Sequence, residues 1–240
     1  MKPDRRPVRL LASVTNEGEA SLAVACGADI IDCKDPAAGA LGALPLATVA
    51  RIVGVVGAHC PVSATIGDLA AEPDLVAEAA GRMAETGVDF IKIGFFPGGD
   101  TPATIARLGL HRLGSRRLVG VLLADRELEL KLIEGMARAG FAGVMLDTAD
   151  KASGALPDCV SDAVLKAFID ASRRHGMFAG LAGSLRLGHI PALLELGPDI
   201  LGFRGALCAG NRRMAGLDPD AIRAIRAAIP AIHTPEALAS

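Results

Sequence analysis

The sequence predicts an α/β protein folded as a single-domain (β/α)8 TIM barrel, and three observations predict it. Short apolar runs alternate with longer stretches of helical period along all 240 residues. That is the pattern of a parallel sheet covered by helices. Eight such units at about 30 residues each match the size of an eightfold barrel. Four of the strands also begin after a related phrase: Cys26-Gly27-Ala28-Asp29, Thr86-Gly87-Val88-Asp89, Ala139-Gly140-Phe141-Ala142 and Leu196-Gly197-Pro198-Asp199. In each phrase the glycine suits the C-terminal cap of a helix, after which the chain turns into a strand.

The elements follow in order. Arg9–Val14 is the first apolar run, followed by the helical stretch Glu17–Cys26, which stops at Gly27. Asp29–Lys34 is the second strand and Leu46–Ala58 the next helical stretch. Pro61–Gly67 and Asp89–Phe95 enclose the helical segment Asp74–Thr86, which ends at Gly87. Leu118–Ala124 and Gly143–Thr148 flank Glu127–Ala139; Phe178–Ser184 and Ile200–Leu207 follow the helical stretch Val160–His175. Asp218–Ala228 closes the pattern. No composition shift or Ser/Gly-rich linker divides the chain. Residues 1–240 are therefore expected to form one domain, with a core of about 9–229 and flexible tails.

With 51% apolar residues the chain has ample material for a core and is unlike a disordered segment. A formal net charge of −2 gives no reason to expect nucleic acid or an anionic membrane as partner. The absence of Trp and Tyr removes the usual base-stacking platforms. Five cysteines without CxxC spacing fit reduced thiols, not zinc ligands, and no Cys/His pair has metal-ligand spacing. No signal-type segment follows Met1-Lys2-Pro3-Asp4, and no apolar run approaches the ~20 residues of a membrane span. A cytoplasmic protein is expected, with a small phosphorylated substrate as partner and homo-oligomeric assembly.

Lys34 and Lys92 stand out against this background, because each sits on a strand that should simply fill a core. Side chains alternate across a strand. The shared phrases put Ile30, Asp32 and Lys34 on one face, as they do Phe90, Lys92 and Gly94; Met145 pairs with Asp147, and Gly202 with Arg204. The opposite faces (Ile31 and Cys33, Ile91 and Ile93, Val144 and Leu146, Leu201 and Phe203) are uniformly suited to packing under helices. The charged residues therefore fall in the lumen. Asp32 and Lys92 are expected at one depth, with Lys34, Asp147 and Arg204 nearer the mouth, where such barrels keep their active sites. A purely structural lattice of buried ion pairs returns little stability for its desolvation cost. Buried lysine amines serve as imine-forming nucleophiles or as bases.

Other residues read less sharply. Lys151, in the loop after Asp147, is either a solvated lysine or a phosphate contact or proton carrier at the mouth. Gly183, Ser184, Arg204 and Gly205 close the last two strands, where these barrels frequently bind phosphate on loop amides; Arg204 can add a bidentate contact. Gly39-Ala40-Leu41-Gly42-Ala43 is a candidate lid or contact loop without dinucleotide-binding spacing. Ser63 and Thr65 either line the pocket or reflect strand propensity. Asp125 either joins the mouth or caps the next helix. The five histidines read as surface or helix-end residues, His189 lying nearest the mouth.

On these residues the chain resembles the (5-formylfuran-3-yl)methyl phosphate synthases of methanofuran biosynthesis, from about Arg9 to the last helical stretch. The phrases that carry the resemblance are Ala28 to Pro36, Val62 to Asp68, Phe90 to Gly94, Met145 to Lys151, Leu181 to Ser184 and Arg204 to Ala206. The resemblance implies a (β/α)8 lyase that joins two molecules of glyceraldehyde 3-phosphate into a furan aldehyde phosphate with loss of phosphate and water. By motif position it implies Lys34 as Schiff-base former, Lys92 as proton acceptor, and Asp147 with Lys151 as a further catalytic pair. No metal or organic cofactor is required. Ala152-Ser153 stands where the family often has a glycine-bearing turn, which bears on substrate gating. An ordinary class I sugar-phosphate aldolase and a non-enzymatic phosphate-ligand sensor are the competing readings.

Overall fold

The structure, a computed structural model, describes residues 7–150 and 154–229. Its strands are β1 (Arg9–Val14), β2 (Ile30–Cys33), β3 (Val62–Thr65), β4 (Phe90–Gly94), β5 (Arg117–Leu123), β6 (Gly143–Asp147), β7 (Phe178–Leu181) and β8 (Ile200–Phe203). Each pairs in parallel with the next, and β8 returns to β1, so the sheet closes into the expected eight-stranded barrel. Closure removes every sheet edge. No described helix is long and apolar enough to cross a membrane.

The covering helices are α1 (Glu17–Ala25), α2 (Leu46–Val56), α3 (Pro73–Ala84), α4 (Thr101–Gly109), α5 (Leu132–Arg138), α6 (Leu156–Cys159), α7 (Asp162–Arg174), α8 (Ile190–Leu196) and α9 (Pro219–Ala228). Helices α4, α6 and α8 add to the six stretches read from periodicity. Each is short and carries proline in its first turn, a position that favours helix initiation. Helix α5 begins later than the Glu127–Ala139 stretch suggests; Leu128 and Leu130 pack against the core from non-helical chain.

The repeated phrases have two physical roles, one legible and one not. Gly27, Gly87, Gly140 and Gly197 all adopt positive φ, as expected for chains leaving a helix. The aspartates two residues on act as clasps at the barrel floor. Asp29 accepts the amide of Leu10 on β1 at 2.7 Å, Asp89 that of Val62 on β3 at 2.8 Å, and Asp199 that of Ala179 on β7 at 2.8 Å. Each carboxylate satisfies a strand-end donor of its neighbour that has no ladder partner there.

Apolar side chains form two separate clusters. The outward strand faces, including Ile31, Cys33, Ile91, Ile93, Val144, Leu146, Leu201 and Phe203, pack under the helices. The lumen holds a second cluster of Leu11, Ile30, Leu41, Phe90, Val119, Val121, Met145, Ala182 and Ile200. Phe90 and Phe178 meet edge to face at 5.8 Å near its base, and the Arg117 guanidinium lies 4.2 Å over the Phe90 ring. Glycines make room: a Cβ at Gly180 would meet Met145 Cγ at 2.9 Å.

The Gly39–Ala43 loop is anchored to the barrel, contrary to the reading of a lid. Asp68 accepts the amides of Ala40 and Leu41 at 2.8 and 2.7 Å, and Thr65 Oγ1 donates to the Gly42 carbonyl at 2.9 Å. Leu41 is fully buried in the lumen cluster, over the space that Gly94 leaves open. A Cβ at Gly42 would lie 2.4 Å from the Asp35 carbonyl oxygen. Gly42→Ala is expected to lower stability by about 1–3 kcal/mol as the Lys34–Asp35 turn is pushed aside. Chemical denaturation checks this: an unchanged midpoint would show that the turn yields freely.

Candidate active site

Above the apolar lumen cluster the strands end in charged residues. Asp32 on β2 is fully buried and is the node of the arrangement. Lys92 Nζ donates to both of its oxygens at 3.1 Å. Ser63 Oγ donates to Oδ1 at 2.6 Å and Ser13 Oγ to Oδ2 at 3.0 Å. Burial alone would push the Asp32 carboxyl up. The Lys92 and Lys34 cations and the Ser63 hydroxyl outweigh it and hold the group below its ordinary value of 3.8. Asp32 therefore remains a carboxylate at neutral pH.

One step toward the mouth, Lys34 Nζ lies 3.3 Å from Asp147 Oδ2 at the end of β6. Asp147 Oδ1 also accepts the Thr148 amide at 2.8 Å, which fixes the carboxylate orientation. Lys34 is 7% exposed and Lys92 3%, and two cations face two carboxylates, so the buried lattice is formally neutral. These pairs match the depth order expected from strand alternation: Asp32 with Lys92, Lys34 with Asp147. The Cys33 thiol, on the outer face of β2, is pushed up by burial and by the Asp32 charge, so it stays protonated beside the lattice.

The loops complete a cavity of about 300 Å³ over these groups, at the lower end of the range for small-ligand sites. Ser13, Asp32, Lys34, Lys92, Asp147, Gly183, Ser184, Arg204, Gly205 and Arg213 are all in its wall. Gly183 and Ser184 take positive φ, so the chain stops being a strand at Leu181. Ser184 is one of two non-glycine residues with positive φ among those described; the other, Asn211, lines the same cavity. Backbone strain of this kind tends to concentrate at functional sites. Lys151 lies outside the described residues. Asp125 joins the mouth, its two oxygens accepting the amides of Ala149 and Asp150 at 2.7 Å each. His189 serves a helix start, its ring nitrogen accepting the Arg186 amide at 3.2 Å.

Arg204 is used differently from the expected phosphate contact. Its guanidinium pairs with Glu19 on α1, donates from Nε to the Arg213 carbonyl at 3.0 Å, and reaches the carbonyls of Ser13 and Ala215 at 3.1 Å each. These bonds occupy its five donors. Burial would raise the Glu19 carboxyl, but the bonds from Arg204 and Thr15 bring it below its usual value. The pair ties the end of β1, the start of α1 and the loop after β8 into one strut. The reason is local: Arg204 has left extended geometry at ψ −69, so strand alternation no longer predicts where its side chain points.

Sequence reasoning missed Ser13, Glu19 and Arg213. Ser13 lies on an odd-numbered strand, which lacks the repeated phrase that set the register. Glu19 had a signal in Asn16-x-x-Glu19, where Asn16 caps α1 by accepting the Glu19 amide at 2.9 Å. Among the described residues, no group of three His, Cys, Asp or Glu side chains is placed to hold a metal ion.

A family model for 4-HFC-P synthase matches residues 10–226. The chain belongs to that family. A Methylorubrum extorquens relative, provisionally named (5-formylfuran-3-yl)methyl phosphate synthase, is 44% identical over 91% of this chain and 92% of its own. The (5-formylfuran-3-yl)methyl phosphate synthases of Methanosarcina acetivorans and Methanocaldococcus jannaschii are each 34% identical, over 87% and 90% of this chain and 94% and 97% of theirs. Among solved structures, a 3-hexulose-6-phosphate synthase is similar at TM-score 0.65 and 20% identity, covering 93% of this chain and all of its own. The phosphoribosyl anthranilate isomerase of Thermus thermophilus gives TM-score 0.63 at 17% identity, covering 92% and 98%. At such identities these two speak for the barrel alone. Within the 4-HFC-P synthase match lie both lysine–aspartate pairs and every mouth residue described above.

Proposed function

We propose that this chain condenses two molecules of glyceraldehyde 3-phosphate to (5-formylfuran-3-yl)methyl phosphate, with loss of phosphate and water, in the synthesis of a methanofuran-type cofactor. The observation that carries this reading is the pair of buried lysines, each oriented by its own carboxylate, in one cavity of a chain belonging to this family.

The chemistry follows from the two positions. The Lys34 ammonium gives a proton to solvent, the free amine attacks an aldehyde carbon, and water leaves, giving an iminium ion that acts as an electron sink. Asp147, 3.3 Å away, stabilises the positive charge on that nitrogen. The iminium acidifies the adjacent carbon; Lys92, having first given its ammonium proton to solvent, takes a proton from that carbon. Asp32 holds the Lys92 nitrogen through both oxygens and stabilises the ammonium that results. The enamine then attacks the second aldehyde; cyclisation and elimination of phosphate and water give the aromatic ring. Water then adds to the imine carbon, the C–N bond to Lys34 breaks, and the furan aldehyde leaves with the free amine restored. In this scheme Lys151 would act as a further proton carrier, and the amides around Gly183, Ser184 and Gly205 would receive a phosphate.

Incubation with glyceraldehyde 3-phosphate alone tests the reading. A furan chromophore should rise together with free phosphate, and the product mass should match the furan aldehyde phosphate. Carbon–carbon bond formation without phosphate release would identify an aldolase. Absence of any product would contradict the synthase reading altogether.

A further inference from the structure

We infer that Arg213 forms an anion station at the mouth of the lysine cavity, built to hold the phosphate of one substrate molecule. This goes beyond the proposed reaction in naming the cation, and it rests on that reading for the identity of the anion.

The cations around the cavity are not equivalent. Lys34 and Lys92 face Asp147 and Asp32, and all five Arg204 donors are taken, two positions by Glu19. Arg213 makes no ion pair with a described carboxylate. Its Nη2 donates to two neutral carbonyls, Pro36 at 2.9 Å and Gly39 at 3.1 Å. Among the described residues, Nε and Nη1 have no hydrogen-bond partner, and neither atom is sealed from solvent. A half-buried guanidinium with three donors left over, and no described carboxylate within ion-pair distance, is poised for an anion.

Its placement lets it hold an anion whose other end reaches the lysines. Arg213 lines the cavity holding Lys34 and also the outer groove of Pro36, Gly39, Asp68, Arg126 and Asp150, so it stands between the two spaces. In that groove the Asp68 oxygens are already engaged by the amides of Ala40 and Leu41. The backbone before it turns sharply: Gly210 and Asn211 both take positive φ. The two carbonyl bonds hold the side chain against the loop that follows Lys34, so much of its rotamer entropy is already lost before a ligand arrives. By contrast Arg186, also in the cavity wall, is exposed and has no such anchor among the described residues. A phosphate held on the loop amides near Gly183 and Gly205 gains a charge-assisted contact from Arg213, the side-chain charge that Arg204 does not supply.

Calorimetric titration of the full chain with inorganic phosphate tests this without any turnover. Arg213→Gln should weaken phosphate binding about tenfold or more, the effect of one charge-assisted contact, and Arg213→Lys should recover part of it. The companion readout is borohydride trapping. The glyceraldehyde 3-phosphate concentration needed for half-maximal trapping should rise much more in Arg213→Gln than that of unphosphorylated glyceraldehyde. Equal phosphate affinity in wild type and Arg213→Gln, or no phosphate binding by wild type, would overturn the proposal. So would equal losses with the two aldehydes, which would mean that Arg213 only braces the Lys34 loop. If wild type makes no furan, the proposed reaction fails while the phosphate titration still decides the role of Arg213.

Discussion

Lys34→Ala is expected to lose both furan formation and borohydride-trappable adduct, down to the uncatalysed background. No other described lysine has its amine beside Asp147 in the cavity. Alanine removes the electron sink entirely. Lys34→Arg is the companion variant: it keeps a cation opposite Asp147 but offers no amine for an imine, so it should fold and still fail to trap. Lys92→Ala should behave differently, retaining an adduct at Lys34 while turnover falls roughly 10²–10⁴-fold, the range for loss of a general base. Product mass and steady-state rates check all three. Retained turnover in any one of them would remove that residue from the mechanism.

Asp32→Asn is expected to have the largest effect on stability. It leaves Lys92 in the lumen without the carboxylate that now takes both of its contacts, and breaking one side of a buried pair costs about 3–5 kcal/mol. Denaturant unfolding should show the loss at pH 7, and turnover should fall because Lys92 is no longer held in place. The dependence on pH has a definite sign. Asp32 is held below its ordinary 3.8 in the folded chain, so its contribution is complete above that value. It is lost as the pH falls through the lowered folded value. The stability gap between wild type and Asp32→Asn should therefore be constant near neutrality and close in acid below about pH 4. A gap that widened on acidification would show that Asp32 is not held as a carboxylate by its neighbours.

Much of this arrangement was legible because the repeated strand starts made alternation readable. Counting by twos from Gly-Ala-Asp and Gly-Val-Asp put Asp32, Lys34 and Lys92 in one lumen, and from Gly-Phe-Ala it added Asp147. The structure pairs them in the same depth order. Alternation failed where the chain stopped being a strand. Arg204 lies one residue past the end of β8, and its side chain turns to Glu19, 185 residues away in sequence. Nothing local in either segment announces that strut. Ser13 was invisible because β1 carries no such phrase, and Arg213 because its place depends on turns at Gly210 and Asn211. The Gly39–Ala43 segment shows the converse case: glycine-rich composition left a lid and a contact loop both open, and the structure goes against the lid, since Gly39 and Gly42 are there because Asp68 and the Asp35 carbonyl come too close for a Cβ. Close backbone approach and flexibility leave the same mark on a sequence.

Peptide mapping of wild-type protein reduced with borohydride in the presence of glyceraldehyde 3-phosphate decides which lysine forms the imine. A single substrate-derived adduct is expected on the peptide containing Lys34, formed before phosphate is released. An adduct on Lys92 or Lys151 in its place, or none during turnover to the furan, would contradict it.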